Sequence, residues 1–153
     1  AAAERHAREV EERLRGPNFR KLLRAMYGDR PAWHPNLQCI DRLRSIINIF
    51  TRMRYCTPRG RMAIEEKGAP GRQAQGLYPW YEVPGRAERD LKIVCGHWST
   101  LGLMIGHGVH AIDTGAVWGG KLTALQLDTD DIRLVQVPGR DVPPPPKGEL
   151  PKD

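Results

Sequence analysis

No stretch of this 153-residue chain approaches the roughly 18 consecutive apolar residues that a membrane-spanning helix needs, so a helical membrane protein is excluded. The first 25 residues are charged and helical in character and lack the pattern of a secretory signal. Cysteine is scarce. Cys39, Cys56 and Cys95 form an odd set at no metal-binding spacing, which points away from a disulfide framework and toward reduced, mostly buried thiols in a cytoplasmic protein. No internal repeat is visible, so a solenoid or array is excluded as well. The chain also lacks an initiator methionine: it opens "AAAERHAREVEERL", as a processed product or a piece of a longer protein would.

What is present fits one globular domain, with 40% hydrophobic and 27% charged residues and a mean hydropathy of −0.53. Basic residues outnumber acidic ones by 24 to 18, giving +6 and a pI near 9.5. That balance favours anionic partners such as phosphates or nucleic acid, but many ordinary proteins share it.

Four segments follow from the pattern: helices over 1–56, a long Gly/Pro-rich loop over 57–90, a β region over 91–138, and a disordered proline-rich tail over 139–153. "AAAERHAREVEERLRG" reads as a helix stopped by Gly16, with Val10 and Leu14 on one face. In "PNFRKLLRAMYG", Pro17 suits a first turn and Gly28 a C-cap. "CIDRLRSIINIFTRMRYC" carries the clearest stripe, Ile40, Leu43, Ile46, Ile47, Phe50 and Met53, with Arg42 and Arg44 expected on a solvated face. Farther on, "LKIVC", "GVHAID", "GKLTALQL" and "IRLVQV" read as strands. The last two alternate Leu122, Ala124 and Leu127 with Ile132 and Val135 around "DTDD", an antiparallel hairpin.

Of five histidines, His6 and His34 read as surface residues. The spacing of His97, His107 and His110 fits no zinc pattern. "GDRP" at 28–31 lacks the histidine that an aspartate-based metal motif needs and suits a helix stop. His97 is different, because "GHW" follows an apolar strand and Gly96 lets backbone approach something closely. Asp113 sits at another strand end before the glycine-rich turn "DTGAVWGG". Strand ends beside such turns can present ligand-binding groups. On the residues alone, a packed β-turn with a partly buried imidazole is the competing account and the better supported one.

Several stretches in order, "FRKLLRAMYGDRPAWHPNL", "DRLRSIINIFTRMRYCTPRGRM", "LYPWYEVPG", "IVCGHWSTLGL" and "AIDTGAVWGGKLTALQLD", resemble the bacterial symmetrical bis(5′-nucleosyl)-tetraphosphatases. The resemblance covers roughly residues 10 to 137, and "TRMRYC", "GHW" and "DTGAVWGGKLT" together make it specific. It implies a calcineurin-like metallophosphoesterase, a four-layer α/β/β/α sandwich holding two divalent metals, Mn²⁺ or Co²⁺, in the cytoplasm. It implies a hydrolase that splits diadenosine tetraphosphate symmetrically into two ADP by in-line attack of a metal-bound hydroxide.

By the same resemblance, His97 is the last metal ligand, Arg52 and Arg54 are the candidates for phosphate contact, Tyr81 and Trp118 either stack on a base or belong to ordinary core or loop packing, and Asp113 either supports a ligand from behind or caps its turn. The family's GD-x-H-G, second GD, GNH and His-Ala-Gly segments are missing from this sequence. The fold expected is therefore an α+β C-terminal fragment of the sandwich: helices first, then a mostly antiparallel sheet. It is expected to lack the missing N-terminal half as a partner, to hold no certain catalytic residue, and to be inactive alone. The alternative is a catalytically dead relative that binds polyphosphate or nucleotide. A nucleic-acid partner, resting only on charge, is set aside.

Overall fold

The computed structural model describes residues 2–28, 32–86, 91–129 and 133–141, which divide into two compact units. One takes the described residues up to Glu66 together with Gln73–Gly85. The other takes Lys67–Arg72 and the described residues from Arg86 onward.

The first unit is built on helices α1 (Ala2–Arg15), α2 (Phe19–Ala25) and α3 (Cys39–Arg52). Val10 of α1, Met26 and Ile40 pack against a buried cluster of Leu22, Leu43 and Ile47. Gly16 stops α1 as expected, and its carbonyl accepts from the Phe19 N–H at 3.2 Å, turning the chain directly into α2. Pro17 lies in that turn rather than in the helix, where Asn18 takes the N-cap position. The α3 stripe holds through Leu43, Ile46 and Ile47, but Phe50 is half exposed because no described element of this unit covers the last turn.

Arg42 and Arg44 do not form a solvated face. Arg42 Nε donates to both Glu9 carboxylate oxygens, at 2.8 and 3.1 Å, and its guanidinium lies 5.2 Å from the Trp33 ring centroid. His6 joins this cluster half-buried, edge-to-face with Trp33 at 5.0 Å, so it is not the surface residue expected. Arg44 Nε donates to the Ala25 carbonyl at 2.7 Å and so caps the end of α2. Each long stem runs along the helix surface to a partner distant in sequence, which no local pattern records.

Part of the 57–90 segment read as a loop is ordered as sheet. β1 (Tyr55–Cys56) pairs antiparallel with both β2 (Met62–Ala63) and β3 (Tyr78–Pro79), and a 3₁₀ turn covers Trp80–Glu82. Strands of two residues are too short to show a period of two, and so left no signal.

The second unit is a pair of small sheets. β4 (Ile93–Cys95) runs parallel to β6 (Val109–Ala111), which also pairs antiparallel with β5 (Met104–Gly106). β7 (Asp113–Thr114), β8 (Lys121–Leu125) and β9 (Leu134–Pro138) form an antiparallel sheet in that order. The β8–β9 hairpin is present, with Leu122 opposite Val137 and Ala124 opposite Val135. Its apolar row faces outward, however: Leu122 is 61% and Val135 64% exposed, while Thr123 on the opposite face is buried. Thr123 Oγ1 accepts from Gln136 Nε2 at 2.9 Å and lies 2.6 Å from Thr114 Oγ1.

Two glycines hold this sheet together. A Cβ at Gly120 would stand 2.1 Å from the Thr114 carbonyl oxygen, and one at Gly139 2.3 Å from that of Ala116, so no side chain fits at either. Ile132 and the tail from residue 142 lie outside the described residues. Three helices followed by three small, mostly antiparallel sheets agree with the expected α+β order.

Candidate functional site

Parallel pairing explains why Gly96 and Asp113 meet. β4 and β6 run the same way, so their carboxyl ends reach one edge of the sheet, where the Ile112 N–H donates to the Cys95 carbonyl at 3.0 Å. A Cβ at Gly96 would stand 3.7 Å from that of Asp113. Here a shallow cavity of about 370 Å³ opens, lined by Cys95, Gly96, Asp113, Lys121 and Thr123 among others. Ligands in α/β sheets characteristically sit beyond the carboxyl ends of strands.

His97 follows directly, exposed, with φ +73°. That left-handed backbone costs a non-glycine residue roughly 1–2 kcal/mol. Strain of this kind persists only where the surroundings hold it. Trp98 does the holding: it is buried, and its indole N–H donates to the Gly68 carbonyl at 3.1 Å. Thr100 Oγ1 donates to the Lys67 carbonyl at 3.1 Å and secures the same loop. The partly buried imidazole considered from sequence is therefore not what stands at 97. Trp98 and Thr100 escaped sequence reasoning; the only trace of the anchor was the tryptophan within "GHW".

Asp113 Oδ1 accepts from the Gly115 N–H at 3.1 Å, which caps the turn that follows it. Trp118 ends the 3₁₀ turn Ala116–Trp118 between two left-handed glycines, Gly115 and Gly119, and is 43% exposed. A ring so presented is free to meet a planar partner.

Arg52, Arg54 and Tyr81 belong to the helical unit. Arg52 ends α3 and donates from Nη1 to the Asn48 Oδ1 at 3.2 Å. Arg54 is half-buried, and its Nε has no hydrogen-bond partner among the described residues. Burial first, and then the charge of Arg52, pull the Arg54 guanidinium below its ordinary value. Neither arginine has a carboxylate partner among the described residues. Two uncompensated guanidiniums at this spacing suit a polyphosphate. Tyr81 is buried, edge-to-face with Trp80 at 5.8 Å. Packing accounts for it, and its ring is not presented to a base in this chain.

Among the described residues, no three His, Cys, Asp or Glu side chains come close enough to hold a metal ion. His107 caps the β5–β6 turn and His110 is buried on the central strand, so neither converges with His97. This chain alone does not fit a dinuclear centre. No described helix is long and apolar enough to cross a membrane.

The sheet unit thus carries an exposed imidazole at a strand's carboxyl end, and the helical unit two arginines without a carboxylate partner among the described residues. No family model matches the chain. A protein of Xanthomonas axonopodis pv. citri named symmetrical bis(5′-nucleosyl)-tetraphosphatase is 74% identical over 145 residues, 95% of this chain and 46% of that protein. The protein of the same name from Xanthomonas campestris pv. campestris is 75% identical over 143 residues, 94% of this chain and 44% of its own length. The one from Xylella fastidiosa is 67% identical over 143 residues, 94% of this chain and 48% of its length. These relatives are named as hydrolases. Over nearly its whole length the chain is thus similar to proteins named symmetrical bis(5′-nucleosyl)-tetraphosphatase, and it spans about half the length of the curated relatives it matches.

Proposed function

We propose that the whole protein to which these residues belong hydrolyses a dinucleoside tetraphosphate symmetrically, releasing two nucleoside diphosphates, and that this chain contributes only part of the site. The observation that carries the reading is identity of 67–75% over nearly the entire chain to proteins named for that reaction. Arg52 and Arg54 bind the polyphosphate. His97 is this chain's ligand to a centre of two divalent ions, Mn²⁺ or Co²⁺, whose other ligands lie in the half of the relatives that this chain does not match. Asp113 steadies the strand edge beside His97, and Trp118 stacks on a base. With three free thiols, the protein suits a reducing cytoplasm.

The chain's partner is that other half, and the complete fold is the four-layer sandwich. Support comes from the bare sheet faces. Val94, His110 and Ile105 lie opposite one another across β4, β6 and β5, and Val94 and Ile105 are exposed. His110 is buried beside them with no hydrogen-bond partner for Nδ1 among the described residues. An apolar row around an orphaned imidazole is what remains when a covering layer is absent.

The test mixes this chain with a separately expressed polypeptide spanning the other half of the Xanthomonas relative, supplies diadenosine tetraphosphate and Mn²⁺, and resolves the products. ADP is expected from the mixture, from neither piece alone, and not when His97→Ala replaces the wild type. ADP from this chain alone would overturn the division of ligands. A mixture that forms a complex yet releases none would favour the nucleotide-binding relative without turnover.

A further inference from the structure

We infer that the helical unit holds a second, metal-independent nucleotide site, in a cavity of about 610 Å³ walled by Trp33, α3 and the β1–β2 turn. The inference goes beyond the hydrolase reading and stands on the cavity alone. Its size falls within the roughly 300–1,000 Å³ typical of small-molecule sites.

The walls divide by chemistry. Trp33 contributes an indole, Met53 apolar surface, and Ser45 and Asn48 buried polar groups from the inner face of α3. The β1–β2 turn supplies the charge. Thr57 and Arg61 close it, the Thr57 N–H donating to the Arg61 carbonyl at 2.9 Å and the Arg61 N–H to Thr57 Oγ1 at 3.1 Å. Gly60 takes φ +77° at its tip, and Arg59 and Arg61 flank it, both lining the cavity. Among the described residues no carboxylate lines it and neither arginine has an ion-pair partner.

A cavity with an aromatic wall, buried amide and hydroxyl groups, and two uncompensated guanidiniums at the mouth matches a ligand that is planar and heteroaromatic at one end and anionic at the other. A nucleoside 5′-diphosphate has that form. The base lies against Trp33; Asn48 beneath it is a fixed wall, its amide donating to the Gly28 carbonyl at 2.7 Å and accepting from Arg52 at 3.2 Å. The phosphates lie between Arg59 and Arg61, whose planar forks suit their oxygens without a bridging cation.

Calorimetric titration of the 153-residue chain with ADP in the presence of EDTA tests this without turnover or metal, so its outcome is separate from that of the mixing assay. Saturable binding is expected, with Arg59→Ala combined with Arg61→Ala weakening it roughly tenfold or more. Both side chains are exposed, so the double variant should keep its fold. Inorganic pyrophosphate should compete on the wild type and lose that ability on the double variant. Trp33→Leu should weaken ADP while leaving pyrophosphate affinity in place. No heat of binding, or ADP affinity unchanged in the double variant but lost in Arg52→Ala with Arg54→Ala, would overturn the proposal.

Discussion

The helical unit buries Leu22, Leu43, Ile46 and Tyr55 behind a charged exterior, while the sheet unit turns Leu122, Val135 and Val137 outward and keeps Thr123 inside. Both were written by the same binary rule, apolar on one face and polar on the other. The difference lies in whether the apolar face finds cover within the chain. Three helices of this length can cover one another. A three-stranded sheet has two faces and needs something on each, and here one face is left bare. The comparison teaches that correct patterning predicts which residues share a face, not that the partner for that face is supplied locally.

The largest effect expected separates the two units directly. Ile46→Ala, at a site only 2% exposed, should cost about 2–5 kcal/mol in denaturant unfolding followed by circular dichroism. Leu122→Ala, although it removes the same kind of side chain, should change stability by less than about 0.5 kcal/mol. Equal costs would mean that the β8–β9 face is covered after all, and the comparison would fail.

A smaller effect concerns the polar joint of the helical unit. Arg42→Ala removes two hydrogen bonds to Glu9 and the contact with Trp33, and should cost about 1–2 kcal/mol. The same joint responds to acid. The hydrogen bond from Arg42 holds the Glu9 carboxyl below its ordinary value of 4.5, so its stabilisation is complete above that value and is lost as pH falls through the lower folded value. Urea midpoints measured from pH 6 down to pH 3 should show this loss in the wild type and a shallower one in Arg42→Ala. Identical slopes would remove Glu9 from the account.

The smallest effect leaves stability untouched and reads the thiols. Cys39 is exposed; burial raises the Cys95 thiol and pushes that of Cys56 up to about 11. Alkylation by iodoacetamide at pH 8, mapped by mass spectrometry, should proceed in the order Cys39, Cys95, Cys56. Cys95 lies half-buried in the sheet unit and Cys56 buried in the helical one, so the gap between their rates reads how differently the two units enclose a thiol. Modification of Cys56 before Cys95 would overturn that difference.

The long elements were legible in the sequence because their period is. α3 announced itself through Leu43, Ile46 and Ile47, and the hairpin through Leu122, Ala124 and Val135. β1, β2 and β3 were not legible, since two residues hold no period and the pairing of β1 with β3 spans more than twenty positions. The site was read through motif more than through physics: the roles of His97 and the two arginines came from resemblance, and spacing alone favoured a packed turn. The work of Trp98 was invisible, because its partner Gly68 lies thirty residues away in a segment without pattern. Tyr81 was left between stacking and packing for a related reason: nothing in "YPWYE" distinguishes the aromatic that packs from the one that is presented, and burial places Tyr81 among those that pack.

The backbone at position 97 has one more consequence. Glycine would adopt φ +73° without penalty and would also surrender more freedom on folding, yet on balance left-handed positions favour it. His97→Gly should therefore leave the loop's path intact and hold it with less strain. Under the ligand role proposed for His97, durability and usefulness pull apart at this position. Stabilising this chain by consensus-blind engineering would begin there, and would begin by erasing the imidazole on which that proposal depends.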